Sequence, residues 1–270
     1  MRARSIFMIL FLGVLCGISS PSFAQFRTRL RPDTIQAFDR YVAQAEAGMA
    51  LRREGKKAFL SLYENHQNLE RARKGEIIVE RLNADQNGGI PGGIVHDWTG
   101  SMFIPGATVE SVLHVLQDFN RHKTIYPEIL DSRLLKQTGD TFKFYWRLKK
   151  EKMLTVVLNT EHEARYFHCG ERRWCGSSHS IRIAEVVDPG TSQEQELTVG
   201  SDHGFLWRLY ADWFLEGSSE GVYVECRVIS LTRDIPHGLG WIISPIIRDL
   251  PRESLTATLE FTRRAVLSPR

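Results

Sequence analysis

The sequence predicts an α+β fold in which a curved antiparallel sheet wraps around one long C-terminal helix. Large apolar residues alternate with polar residues from 142 to 148, and a second alternating run extends from 205 to 215. Such alternation is typical of strands that bury one face. Near the end of the chain, Leu255, Leu259 and Val266 mark one face of a helix. We expect the apolar faces of sheet and helix to be buried against each other.

Residues 25–92 are interpreted as an N-terminal helical extension and linker. One apolar stripe at spacings of three and four runs through residues 32–53: Ile35, Phe38, Val42, Ala45 and Met49. This spacing predicts an amphipathic helix that docks on the main domain. A weaker helical pattern follows at 56–73, and residues 76–82 favour a strand. The glycine-rich segment 87–93 predicts a turn, which places the core domain at 93–270.

The core domain is predicted to begin with a strand at 93–104, followed by short helical segments at 109–116 and 119–126. The six antiparallel strands that follow are predicted at 129–136, 142–148, 154–168, 174–187, 205–215 and 222–232. Pro251 occupies a position that suits the first turn of the final helix. This order of elements predicts a cavity between the sheet and that helix.

The first 24 residues have the pattern of a secretory signal peptide. Arg2 and Arg4 precede an apolar run at 6–16 that is short for a membrane span, and Ser22-Phe23-Ala24 supplies small residues at the cleavage positions. We expect cleavage after Ala24 and export to the periplasm or the medium. An uncleaved anchor is the alternative, which the short apolar run disfavours.

The charge of the chain argues against nucleic acid as its main partner. The formal net charge is +3, and loss of the two arginines of the signal peptide lowers it by two, to +1. The sequence also has no phosphate loop, dinucleotide fingerprint, nucleophile elbow or zinc-protease helix, so we expect no cofactor.

Cys169 and Cys175 flank a short segment that is interpreted as a hairpin loop. Facing positions near a hairpin turn can meet the geometry of a disulfide, and export would permit one. The alternative is that both remain reduced core residues. His168 points to the strand face opposite Cys169, which argues against zinc, and no metal site is expected. Cys226, among valines at period two, is expected to be a buried thiol.

The order of predicted elements resembles the helix-grip fold of the START-like (SRPBCC) superfamily, over residues 93–268. That superfamily includes START lipid-transfer domains, birch-pollen-allergen proteins and polyketide cyclases. Four stretches also resemble uncharacterised exported bacterial members: FIPGA at 103–107, DHGFLWRL at 202–209, ISLTRDIP at 229–236 and PRESL at 251–255. The resemblance implies a hydrophobic ligand between sheet and helix. It implies no catalysis, because the fold serves carriers and enzymes alike.

The candidate cavity residues are aromatic side chains at alternating strand positions and leucines of the final helix: Phe142, Phe144, Trp146, Phe205, Trp207, Trp213, Leu255 and Leu259. A solidly packed core is the alternative interpretation of the same pattern. The sharply curved sheet favours the cavity, since such an interior is hard to fill with side chains alone.

Polar residues could also reach this cavity or its mouth. His203, Arg233 and Asp234 are the candidates, although a loop histidine and a local ion pair explain them as well. Arg208 and Glu225 are expected to point outward. Trp241, Ile242 and Ile246 are candidates for a lid or for a surface that touches a membrane transiently, or they pack beneath the final helix.

These observations favour an exported protein that binds or carries a lipid-like or polycyclic small molecule. Two alternatives remain open. One is an enzyme of the cyclase, dehydrase or hydrolase type that uses polar groups in the same cavity. The other is an envelope interaction protein with a packed core and no small ligand.

Overall fold

The computed structural model describes residues 27–83, 89–151, 155–234 and 240–268, with side chains of the last segment described from residue 250 onward. The N-terminal part holds a short strand, two helices and a second strand: β1 (Thr28–Arg29), α1 (Pro32–Arg53), α2 (His66–Arg73) and β2 (Ile78–Arg81). A 3-10 turn at Ser61–Glu64 precedes α2. The helix predicted at 32–53 is thereby confirmed.

The predicted elements follow in the predicted order, with two short strands, β8 and β9, that were not predicted: β3 (Gly93–Pro105), α3 (Val109–Gln117), α4 (His122–Ile125), β4 (Ile129–Thr138), β5 (Thr141–Glu151), β6 (Thr155–Gly170), β7 (Arg173–Val187), β8 (Gln195–Glu196), β9 (Ser201–Asp202), β10 (Arg208–Gly217), β11 (Gly221–Arg233) and α5 (Gly240–Leu267). Thr108 caps α3, since its hydroxyl accepts from the Ser111 amide at 3.2 Å while the Ser111 hydroxyl accepts from the Thr108 amide.

The main sheet has nine strands in the order β2-β3-β11-β10-β7-β6-β5-β4, with β8 paired to β7. All of its pairings are antiparallel. The C-terminal helix α5 lies across the inner face and contacts β3 and α3. This is the helix-grip arrangement, and the predicted α+β fold class is confirmed.

Gly100 allows α5 to approach the sheet closely. A Cβ atom at this position of β3 would lie 2.6 Å from Cδ1 of Leu259 and 3.0 Å from Cγ of Leu255. Both leucines are buried in the main core cluster. A side chain at residue 100 would therefore push the helix away from the strand.

The outer face of the sheet is covered by α1. Phe38, which is fully buried, and Val42 pack with Val95, Ile229 and Leu231 of the sheet. The helix predicted to dock on the main domain therefore does so, and it covers the face opposite α5.

Two buried ion pairs hold this outer layer. Arg52 of α1 binds Glu225 of β11 at 2.6 Å, and the amide and hydroxyl of Ser61 each donate to the same carboxylate at 2.7 Å. The guanidinium of Arg227 binds Asp97 at 2.9 and 2.6 Å. Tyr41 of α1 donates its hydroxyl to Asp97 at 2.7 Å. Glu225 thus points outward as predicted, but it is buried beneath the extension.

The prediction that Pro251 starts the final helix is wrong. Helix α5 begins at Gly240, so Pro251 lies in its interior. A proline inside a helix removes one backbone hydrogen bond and crowds the preceding turn, but it does not have to end the helix.

Candidate functional site

A cavity of about 450 Å³ lies between the inner face of the sheet and α5. Its wall is mostly apolar and includes large side chains from three strands and from the helix: Phe144, Trp146, Leu158, Leu209, Trp213 and Leu255. The alternation of β10 explains part of this wall. Leu209, Ala211 and Trp213 line the cavity, while the intervening Asp212 lies on the other face of the strand and is buried.

Five of the predicted cavity residues line this cavity: Phe144, Trp146, Phe205, Trp213 and Leu255. Phe142 and Leu259 lie in the adjoining packed core. The Phe142 ring contacts Phe119 at a centroid distance of 5.3 Å. Leu259 fills the space above Gly100. Part of the aromatic set therefore forms solid core, and part of it surrounds a space.

Trp207 was predicted to face the cavity, and the structure places it on the opposite face. It packs in the cluster beneath α1 with Phe38 and Ile229, and its indole Nε1 donates to Asp202 at 2.9 Å. The reason is that β10 begins at Arg208, so Trp207 belongs to the preceding loop and does not share the alternation of the strand.

The polar candidates lie along the cavity wall. His203, Arg233 and Asp234 all line it. Nδ1 of His203 lies 2.5 Å from Oε1 of Glu185, and the His203 amide donates to Oε2 at 3.1 Å. Burial raises the pKa of Glu185, and the hydrogen bond from His203 opposes that shift. Asp234 is exposed and Phe205 is 37% exposed, so the cavity reaches the surface at this end.

Two buried histidines of the wall were not singled out from the sequence. His122 accepts from the Trp146 indole through Nδ1 at 3.2 Å, so its Nε2 carries the proton that it donates to the Val115 carbonyl at 3.1 Å. The His162 ring stacks on Phe144 at a centroid distance of 5.0 Å. Burial lowers the pKa of His122 to about 4 and that of His162 to about 3. Both rings are therefore neutral at pH 7, and they serve as aromatic wall.

The burial of one of these histidines could have been predicted from the sequence. His162 shares the period-two face of its strand with Ala164 and Tyr166, both of which are buried. His122 lies in a helix of only four residues, where no periodicity identifies the buried face.

Lys150 and the carboxylate with which it pairs also line the cavity. Nζ of Lys150 donates to Ser254 of α5 at 2.6 Å and to the Glu128 carboxylate. Burial lowers the pKa of Lys150, and Glu128 opposes that shift. The charge of this lysine is thus compensated within the wall.

Cys169 and Cys175 form a disulfide across the hairpin between β6 and β7, with a Cα–Cα distance of 5.9 Å. Cys175 packs with Phe103 and Phe214 on the outer side of the sheet, away from the cavity. Cys226 is a free thiol that lines the cavity. Burial raises the pKa of this thiol well above its usual value.

The candidate lid residues Trp241, Ile242 and Ile246 lie outside the residues whose side chains are described. Within the described ranges, no three His, Cys, Asp or Glu side chains come together as a metal site would require. In the same part of the chain, no helix combines the length and the apolar character needed to cross a bilayer.

Several solved structures are similar to this chain. A STAR-related lipid transfer protein from Xanthomonas axonopodis is 19% identical, with a TM-score of 0.44 over 70% of this chain and 99% of that one. Human STARD10 is 10% identical, with a TM-score of 0.43 over 70% of this chain and 73% of its own.

The Zhui aromatase/cyclase from a Streptomyces species is 10% identical, with a TM-score of 0.39 over 64% of this chain and 92% of that one. No protein-family model matches the chain, and no curated protein matches it. The expected likeness to START-like proteins is thus found among solved structures, and the helix-grip fold follows from the element order and sheet topology of the chain itself.

Proposed function

We propose that this protein binds and carries a hydrophobic small molecule, lipid-like or polycyclic, between the sheet and α5. The observation that carries the proposal is the cavity of about 450 Å³ with its predominantly apolar wall. Cavities of roughly 300–1,000 Å³ are typical of small-molecule sites. A protein that only mediated contacts between macromolecules would have no need of such a space.

The electrostatics of the wall support an uncharged ligand body. His122 and His162 are neutral at pH 7, and Lys150 is paired with Glu128. A polycyclic or acyl body would contact the aromatic side chains without leaving an unpaired charge in the wall.

A variant that fills the cavity tests the proposal. Ala211 lines the cavity from β10, so Ala211→Trp should abolish binding of a fluorescent apolar probe such as 1-butylpyrene. Thr141→Trp adds the same bulk at an exposed position and should leave binding unchanged. Melting temperatures of both variants show whether the fold is kept. Failure of the wild-type protein to bind any such probe would refute the proposal.

A second candidate function rests on the pair formed by Glu185 and His203. A histidine oriented by a carboxylate and placed at a cavity wall is an arrangement suited to general acid–base catalysis. An enzyme of the cyclase, dehydrase or hydrolase type would lose turnover in His203→Gln while still binding its ligand. A carrier would retain full function in that variant, so turnover of the ligand identified by mass spectrometry of native extracts separates the two.

We also propose that the carrier works outside the cytoplasm, after cleavage behind Ala24. The charged start and short apolar run of the leader support this, and a disulfide between Cys169 and Cys175 suits an oxidising compartment. Intact-mass analysis of the secreted protein should find Gln25 at the N-terminus. A retained Met1 would contradict the proposal.

A further inference from the structure

We infer that the ligand carries a hydroxyl group, which His96 and Trp98 of β3 hold inside the cavity. The inference rests on the proposed function, because it describes the polar end of the molecule that the cavity binds. Its basis is a pair of buried ring nitrogens that lack partners.

Nδ1 of His96 and Nε1 of Trp98 are buried without a hydrogen-bond partner among the described residues. Both side chains line the cavity. They stand two residues apart on β3, so they project from the same face of the strand, with their Cα atoms about 7 Å apart. An unpaired buried polar atom is costly, and such atoms in a binding cavity indicate a group that arrives with the ligand.

The hydrogen bonds around His96 assign the proton on its ring. The hydroxyl of Thr232 donates to the Arg233 carbonyl at 3.2 Å, so its oxygen is left to accept from Nε2 of His96 at 3.1 Å. The proton therefore lies on Nε2, and Nδ1 presents a lone pair. Burial, with a smaller contribution from Arg81, lowers the pKa of His96 to about 4, which keeps the ring neutral at pH 7.

The two atoms therefore offer one acceptor and one donor. Nδ1 of His96 accepts, and the indole N–H of Trp98 only donates. A hydroxyl group can donate to the first and accept from the second. An ether or ketone can satisfy only the indole, and a carboxylate would bring its own lone pairs against the lone pair of Nδ1.

Arg81 is a cation that the described contacts place beside this pair. Its guanidinium lies 5.6 Å from the centroid of the Trp98 ring, and its Nε donates to Asn83 at 3.2 Å. A ligand anion would be drawn toward this charge, so the experiment includes an acidic probe as a separate arm.

Four pyrene probes with the same aromatic body test the inference: 1-pyrenebutanol, its methyl ether, 1-butylpyrene and 1-pyrenebutyric acid. Fluorescence titration of the full mature chain should rank the alcohol first, the ether about tenfold weaker and butylpyrene weaker again, since one net hydrogen bond is worth about tenfold in affinity. The acid should bind less tightly than the alcohol.

Variants assign each hydrogen bond to its residue. Trp98→Phe should remove the advantage of the ether over butylpyrene. His96→Phe should remove the advantage of the alcohol over the ether, and His96→Leu provides the same test if the first variant folds poorly. Phe119→Leu, which alters only the apolar wall, should weaken all four probes by a similar factor. Melting temperatures confirm that each variant is folded.

The outcomes separate this inference from the proposed function. Equal affinity of the wild-type protein for the alcohol, ether and alkane would overturn the hydroxyl inference and leave the carrier intact. Tighter binding of the acid than of the alcohol would also overturn the hydroxyl inference, in favour of an anionic ligand. Binding of none of the four probes would overturn both.

Discussion

At the scale of single residues, burial determines the charge of the groups on both faces of the sheet. His122 and His162 are neutral because burial lowers the pKa of each ring, and for His122 the backbone carbonyl of Val115 and the carboxylate of Asp118 offset this only in part. On the outer face, burial acts on Asp212 in the opposite sense and raises its pKa to about 7. The two kinds of group therefore oppose each other in their effect on the pH dependence of stability.

The free energy of unfolding of His162→Phe should fall less steeply than that of the wild type as the pH decreases. The pKa of His162 is depressed in the folded protein, so between about pH 6.5 and the folded value near 3 the unfolded chain binds an extra proton. The wild-type free energy of unfolding should fall by about 1.4 kcal/mol per pH unit for this group as the pH drops through that window. Urea titrations from pH 4 to 7 measure the slope. His114→Gln, at an exposed site, is the control and should keep the wild-type slope.

Asp212→Asn should have the opposite effect. The folded pKa of Asp212 is raised from 3.8 to about 7, first by burial and then by Glu46. Wild-type stability from this group is thus full below about pH 4 and is lost as the pH rises toward 7. The variant should become more stable than wild type by about 1.4 kcal/mol per pH unit across that window. Exposed Asp39→Asn should give no such trend, and parallel curves for wild type and Asp212→Asn would contradict the prediction.

At the scale of elements, helix α1 is attached to the sheet by buried charge as well as by apolar packing. The side chain of Glu225 is 1% exposed, and its carboxylate receives Arg52 and the two donors of Ser61. Removing one partner of such a pair leaves a charge stranded in a medium of low polarity.

Arg52→Leu should therefore cost about 3–5 kcal/mol of unfolding free energy, measured by chemical denaturation. Arg40→Leu on the exposed side of the same helix should cost less than about 0.5 kcal/mol. The double variant Arg52→Leu with Glu225→Leu should recover part of the loss, because no uncompensated charge then remains. Equal costs for the two single arginine variants would show that the buried pair does not hold the helix.

The elements show which features could be predicted from the sequence. The helix at 32–53 was predicted with its bounds, because its apolar stripe is regular. Trp207 was misplaced because the start of β10 is set by pairing with β7 and β11, which the local alternation does not reveal. His96 and Trp98 were missed for a related reason. Their lack of hydrogen-bond partners depends on which side chains of β11 and α5 lie near them. The sequence of β3 alone indicates only a strand that is buried on both faces.

At the scale of the whole molecule, the sheet is covered on both sides: α5 and the cavity lie on the inner face, and the N-terminal extension lies on the outer face. The extension also supplies β2, which pairs with β3 at the edge of the sheet. The boundary proposed at residue 93 therefore divides regions that share a sheet and a buried ion pair.

A chain that starts at residue 93 should consequently fold poorly. It would lack β2, leave Glu225 without Arg52 and expose Ile229 and Leu231 to water. Size-exclusion chromatography should find it aggregated, with a melting temperature well below that of a chain starting at residue 27. A monodisperse fragment that binds 1-butylpyrene with unchanged affinity would contradict this and would make the extension dispensable.

The ion pair between Arg52 and Glu225 joins positions that are 173 residues apart in the chain. During synthesis, α1 emerges from the ribosome well before β11, the strand that receives it. The apolar stripe of α1 has no surface to pack against until β11 has paired. Closure of so long a loop is slow. Completion of the outer layer therefore has to follow the pairing of β11, and until then the apolar stripe of α1 is exposed to water.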